Sequence, residues 1–301
     1  MSKASNLFLA ARPAFLSITL LGCLLGLVLP SHIKGSWAIN FLAIGLALSV
    51  HAAANLLNDY FDHLNGSDQN NHSRITPFTG GSRYIQNRIL TPSQIYGLGL
   101  TLIVVNAAIG IYICSQTTWQ LIPIGLIGVA IAWSYSAPPL ELMSRGVLGE
   151  AAIAIAWSLL VIGFASLQAN TIAYESIPIG LAYGLMVSNI LLVNQIPDIE
   201  ADQLARKYTL ATTHSQHGLR YWYTCIYIIA YVFQFLGMYF FDTPIETIVT
   251  ILLLPIFFLC SNEISIPEKT NAQTRKLIVR NMIAVHLYSL LLCFGMLIGS
   301  L

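Results

Sequence analysis

Trp37-Ala-Ile-Asn-Phe-Leu-Ala-Ile-Gly-Leu-Ala-Leu-Ser-Val-His-Ala-Ala-Ala-Asn55-Leu-Leu-Asn58-Asp59-Tyr-Phe-Asp62-His63-Leu-Asn-Gly66-Ser-Asp68 is the stretch that decides how this chain reads. Its first part, Trp37 to Ala54, is apolar enough to lie inside a bilayer. Amides and carboxylates then arrive together at the end of the apolar run. Ionisable groups at membrane depth are costly, so they mark functional sites. Read as helix, Asn55, Asp59 and Asp62 fall at i, i+4 and i+7, which is one face. A second copy follows at Asn194-Gln-Ile-Pro197-Asp198-Ile-Glu-Ala-Asp202, where Asn194, Asp198 and Asp202 again share a face.

Working outward, the 301 residues are 56% hydrophobic and only 9% charged, with a mean hydropathy of +0.69. A soluble domain carries about 25% charged residues, so the composition gives an all-α, polytopic membrane protein. The net charge of +1 offers nothing to a nucleic acid. Cys23, Cys114, Cys225, Cys260 and Cys293 are scattered singly through apolar runs and read as small hydrophobes in helices. The first apolar run has no small-residue cleavage site and more spans follow it, so it reads as a span rather than a signal peptide.

A membrane helix needs about 20 apolar residues. This predicts nine spans in one transmembrane domain over 1–301: roughly 14–31, 37–57, 94–114, 120–136, 147–168, 174–196, 221–241, 245–262 and 281–300. With the N-terminus cytoplasmic, 13 of the 14 Lys and Arg residues fall inside and only Lys34 outside, as the positive-inside bias expects. Both acidic motifs then lie on the cytoplasmic side. Asp198 follows Asp59 by 139 residues, four spans on, which hints at two parallel half-repeats with a site between them. The long cytoplasmic loops carry Thr79-Gly80-Gly81-Ser82-Arg83, whose backbone suits a close approach to an anion, and Tyr135-Ser-Ala-Pro138-Pro139-Leu followed by Arg145-Gly146 and Gly149-Glu150.

Asparagine and aspartate at four-residue spacing supply oxygen ligands. Mg2+ takes such ligands and fills its remaining positions with waters and phosphate oxygens. Two facing motifs therefore predict a Mg2+-bound diphosphate between them, with Arg12, Arg74, Arg83, Arg145, Arg206 and Lys207 available to neutralise it. An allylic diphosphate held in this way becomes a good leaving group. The resulting delocalised cation is open to attack by an aromatic carbon, and apolar walls admit a long isoprenoid tail and exclude water. Tyr135, beside the double proline, presents an aromatic face to such a cation. The other reading of paired intramembrane carboxylates is an ion-coupled secondary transporter. Acidic clusters at span ends beside long basic loops, rather than at midplane, favour the diphosphate.

At these residues the chain resembles the UbiA superfamily of intramembrane prenyltransferases. Asn55-Leu-Leu-Asn-Asp59-Tyr-Phe-Asp62 with Gly66-Ser-Asp68, Tyr135-Ser-Ala-Pro-Pro-Leu, Asp198-x-x-x-Asp202 with Lys207-Tyr-Thr-Leu, and Arg12-Pro13 look most like the branch that prenylates 1,4-dihydroxy-2-naphthoate in menaquinone synthesis. Pro197 stands where that branch more often has an arginine. The resemblance implies Mg2+-diphosphate binding by Asn55, Asp59, Asp62, Asp198 and Asp202. Asp59, Asp198, Arg145 and Tyr135 are the expected catalytic residues, and Arg12, Arg83, Lys207 and Asn194 the expected substrate contacts. It further implies a polyprenyl diphosphate donor, an aromatic quinone-precursor acceptor, and residence in a bacterial inner membrane with the site facing the cytoplasm. Acceptors such as 4-hydroxybenzoate or homogentisate stay open.

Overall fold

The computed structural model describes residues 2–29 and 36–300. The described residues form a helical bundle: α1 (Lys3–Ala10), α2 (Leu16–Val28), α3 (Trp37–Asn65), α4 (Ser67–Asn70), α5 (Pro92–Gln116), α6 (Ile122–Ser134), α7 (Leu148–Ala169), α8 (Ile177–Asn194), α9 (Ile199–Leu204), α10 (Leu210–Thr213), α11 (Gln216–Phe240), α12 (Leu254–Ile264) and α13 (Asn271–Gly299). The only sheet among them is a two-residue parallel pairing of β1 (Arg145–Gly146) with β2 (Tyr208–Thr209). It ties the loop before α7 to the loop after α9. In hydrocarbon every backbone group must be satisfied within the chain, which leaves helices as the spanning element.

Local chemistry sets the ends of these helices. Thr91 and Gln94 close a capping box on α5, with Pro92 at its first turn, and Thr270 and Gln273 do the same on α13. The hydroxyl of Ser215 caps α11 by accepting from the Gly218 amide at 3.3 Å. Gly66 ends α3 in the left-handed conformation, φ +85°.

Among the described residues, seven helices are long and apolar enough to cross a membrane, eight if the bent pair Ala4–Ala10 and Pro13–Val28 is one span; Trp119–Ser134 is shorter. This differs from nine full spans at two places. At the first, Arg12 takes a left-handed φ of +56° ahead of Pro13, so the apolar run bends by 48°. At the fourth, the helix proper begins only at Ile122, after a 3-10 turn at Trp119–Leu121, and stops at Ser134. Lys34, the single cation assigned to the far side, lies outside the described residues.

The centre of the bundle is α8. Of its most apolar stretch 78% is buried, against 22% for α3 and for α5, so α8 is the internal post and those two are outer wall. It packs on α7 through Gly184, where an added Cβ would collide with the carbonyl oxygen of Ala154. Small residues at such crossings let membrane helices approach closely. α8 also meets α11 and α13, and Tyr183, Met186, Tyr223 and Tyr288 of these helices share one core with Phe257 of α12, all fully buried.

Candidate active site

Both motifs end up at one mouth of an internal cavity of about 700 Å³. Its wall is mostly apolar and comes from α2, α3, α5, α6, α7, α8 and α13. The polar end comes from the two motifs and the segments that follow them. α3 runs straight through the first motif, and Asn55, Asn58 and Asp62 line the cavity at helical spacing. α8 stops at Asn194; Pro197 lies in a 3-10 turn, Ile196–Asp198, before α9 resumes. A proline cannot give the amide that would continue the helix. Asn194, Asp198 and Asp202 all line the cavity.

One cation joins the two motifs. Lys207 Nζ lies 2.8 Å from Asp62 Oδ1 and 3.3 Å from Asp202 Oδ1, with all three side chains nearly buried. Burial works against the ammonium charge, but the two carboxylates more than offset it and hold the Lys207 pKa above the usual lysine range. Polar side chains also meet these carboxylates and that of Asp198. Asn58 Nδ2 donates to Asp62 Oδ2 at 3.1 Å, Ser67 Oγ to Asp202 Oδ1 at 2.7 Å, and Asn71 Nδ2 to Asp198 Oδ1 at 2.7 Å. Beside them, burial together with the Asp62 and Asp59 carboxylates pushes the Asp68 carboxyl well above the ordinary carboxylate range.

Eight of the sequence-predicted residues line the cavity: Arg12, Asn55, Asp62, Tyr135, Asn194, Asp198, Asp202 and Lys207. Three lie outside its wall. Asp59 is turned to the loop, where both its oxygens accept from the Ser82 amide at 3.2 and 3.1 Å. Arg83 donates to the carbonyl of Asp68. Arg145 is exposed and donates to the Pro139 carbonyl at 2.6 Å. The glycine loop does make a close approach, but to a carboxyl group of the protein itself, that of Asp68. Gly80 and Gly81 have φ of +73° and +70°, and a Cβ on Gly81 would collide with the Asp68 carboxylate. Arg12 stacks over Phe15 with its Cζ 4.6 Å from the ring centre and donates to the Phe78 carbonyl at 2.9 Å.

The five residues assigned to metal do not close on one point. Asn55 donates to the Ala11 carbonyl at 3.0 Å, Asp59 faces Ser82, Asp62 and Asp202 share Lys207, and Asp198 faces Asn71. Among the described residues, no three His, Cys, Asp or Glu side chains are grouped to hold a metal ion by themselves. The donor set nevertheless fits Mg2+, which binds through one or two carboxylates and completes its shell with waters and substrate phosphates. Asn194 Oδ1 and Asn71 Oδ1 add buried oxygens with no partner among the described residues.

Sequence reasoning missed Ser67, Asn71 and Ser82. Each sits in the loop after α3 and is aimed at an aspartate by the return of that loop over the site. For Ser67 and Asn71 the one sequence signal is position, a few residues past the first motif; Ser82 lies in the glycine loop, which the sequence marked as an anion cradle but not as the partner of Asp59.

The chain matches the UbiA prenyltransferase family over residues 19–296. It belongs to the UbiA prenyltransferase family. It is 30% identical over 240 residues to a 1,4-dihydroxy-2-naphthoate octaprenyltransferase of Bacillus subtilis (strain 168), covering 77% of this chain and 73% of that one. It is 27% identical over 203 residues to the enzyme of that name from Mycobacterium tuberculosis, covering 67% of each. Its fold is that of a UbiA homolog from Aeropyrum pernix K1, with a TM-score of 0.73, 14% identity, and 96% of this chain and 98% of that one covered. A UbiA homolog from Archaeoglobus fulgidus bound to DMAPP and Mg2+ superposes with a TM-score of 0.67 at 14% identity, over 97% and 99% of the two chains. UbiA membership makes this chain an integral membrane prenyltransferase and rules out the transporter reading.

Proposed function

We propose that the chain transfers a polyprenyl group from an allylic diphosphate to an aromatic quinone precursor, 1,4-dihydroxy-2-naphthoate, in menaquinone synthesis. The observation that carries this is the convergence of Asp62, Asp198 and Asp202 at the polar mouth of an otherwise apolar cavity. A diphosphate head fits the mouth and an isoprenoid tail fits the hollow. The relatives from Bacillus subtilis and Mycobacterium tuberculosis, by their names, support the naphthoate.

In this reading Asn55, Asp62, Asn194, Asp198 and Asp202 hold Mg2+ against the diphosphate oxygens. The metal, when bound, neutralises charge on the diphosphate as a leaving group. Arg12 and Lys207, both at the cavity wall, add positive charge where the leaving oxygens gather it. Asp59 acts from outside the wall, by anchoring the Ser82 loop over the site. The C–O bond breaks with its electron pair on the diphosphate, and the acceptor ring carbon bonds the allylic carbon. The ring then loses the group it carried at that carbon. Tyr135, on the wall, presents its ring to the cation. The apolar walls keep water from the cation. The positive-inside charge pattern supports a mouth open to the cytoplasm of a bacterial inner membrane.

The test is incubation of membranes containing the protein with labelled prenyl diphosphate, Mg2+ and a panel of aromatic acceptors. The reading expects product chiefly with 1,4-dihydroxy-2-naphthoate. Preference for 4-hydroxybenzoate or homogentisate would overturn the acceptor, and no transfer to any aromatic would overturn the reaction.

A further inference from the structure

One part of the cavity has polar groups that the diphosphate reading does not use. His51 lies one turn deeper than Asn55 on the same stripe of α3, about 6 Å further along the helix. Its Nδ1 is 2.7 Å from Thr19 Oγ1 of α2, which fixes the ring and leaves Nε2 for a ligand. The ring meets Trp157 of α7 edge to face, with centroids 5.1 Å apart and planes at 88°. Thr19, His51 and Trp157 all line the cavity. Trp157 Nε1 is buried and has no hydrogen-bond partner among the described residues. An unpaired buried N–H costs stability and calls for an explanation. Around the pair the wall is apolar, with Ala47, Val50 and Leu160. A few polar groups in such a wall fix the orientation of a ligand.

Neither end of the donor answers to these groups. The diphosphate belongs at the carboxylate mouth, and the isoprenoid tail has no hydrogen-bonding atom. The acceptor does, and its reacting carbon must lie beside the carbon that carries the diphosphate. A fused two-ring aromatic laid inward from that point reaches about one helical turn, to the depth of His51.

We propose that His51 and Trp157 form the polar contact for the aromatic acceptor: His51 Nε2 hydrogen-bonds a ring hydroxyl, and the Nε1–H of Trp157 donates to a second oxygen on the same molecule. This rests on the transferase reading above and adds to it the groups that orient the acceptor.

Three variants separate this role from a structural one. His51→Asn keeps a nitrogen at the reach of Nδ1, and so the Thr19 contact, but loses Nε2. His51→Gln keeps a polar atom near the Nε2 position. Trp157→Phe keeps an aromatic ring and removes the N–H. The readouts are the Kd and KM for 1,4-dihydroxy-2-naphthoate, the Kd for prenyl diphosphate with Mg2+, and Tm in detergent. Losing one hydrogen bond to the ligand weakens it about tenfold. His51→Asn and Trp157→Phe therefore raise acceptor Kd and KM by about that factor, while His51→Gln recovers part of the loss. Donor Kd stays at the wild-type value in all three. Trp157→Phe also gives up packed ring atoms, so its Tm falls somewhat, and the unchanged donor Kd is what shows that the donor site is intact. Unchanged acceptor Kd in every variant, with normal transfer by the wild type, overturns the subsite and leaves the transferase reading standing. Donor Kd that weakens as much as acceptor Kd in Trp157→Phe also overturns it. A wild-type protein that binds prenyl diphosphate but neither binds nor prenylates the naphthoate overturns the acceptor and this proposal together.

Discussion

The two acidic motifs look alike in sequence and differ in structure. In the first, α3 continues unbroken to Asn65, and Asp59 and Asp62 meet different neighbours: Asp59 the Ser82 amide, Asp62 the cavity and Lys207. In the second, the helix breaks around Pro197, and Asp198 and Asp202 both reach the cavity. Residues three apart on a helix lie roughly 60° apart around its axis and could serve one site; it is the Ser82 loop that takes Asp59 away from it. The second motif is thus the more fully committed to the site. The first divides its carboxylates between the site and the loop that covers it.

The largest effect expected from this contrast is at the second motif. Asp198→Ala or Asp202→Ala should lower prenyl transfer on the order of a thousandfold, since each removes several kcal/mol of charge stabilisation. Transfer to the naphthoate is the assay, with membrane insertion as the control. Next comes the cation between the motifs. Lys207→Gln leaves Asp62 and Asp202 buried without their partner, which costs on the order of 3 kcal/mol. Its Tm in detergent should fall, and Mg2+ should raise Tm more in this variant than in the wild type. A smaller effect separates the carboxylates of the first motif. Asp62→Asn should lower turnover far more than Asp59→Asn, because an asparagine oxygen can still accept from the Ser82 amide. Equal losses would mean that Asp59 also acts at the metal. The smallest effect is at Arg145, exposed and outside the cavity wall. Arg145→Gln should match Lys276→Gln in turnover, within a few-fold.

Most of the helices, and the placing of residues from both motifs at one cavity, were legible in the sequence, because both rest on local signals. Apolar length gives the spans, and helical spacing puts Asn55 with Asp62, seven apart, and Asn194 with Asp198, four apart, on common faces. The break between α1 and α2 was legible only in part: Pro13 marks it, but the left-handed turn at Arg12 that bends the run belongs to the folded chain. What lay beyond the sequence is long-range. Asp62 pairs with Lys207 across 145 positions, and Ser67 meets Asp202 across 135. No spacing rule joins such residues. Arg145 and Arg83 read as site cations by the same local logic as Arg12. Yet Arg145 spends its guanidinium on a carbonyl at the double proline, and Arg83 on one at Asp68. Counting charges near a motif does not tell which of them the loops turn inward.

The central claim is that carboxylates from both motifs hold one Mg2+-bound diphosphate. Calorimetric titration of geranylgeranyl diphosphate into the detergent-solubilised protein, with and without Mg2+, tests it most directly, using wild type, Asp62→Asn and Asp198→Asn. The account predicts binding that requires Mg2+ in the wild type and is weakened at least about tenfold in each variant, since each loses a charged ligand from the same site. Binding that is indifferent to Mg2+, or a wild-type affinity in either variant, would contradict it.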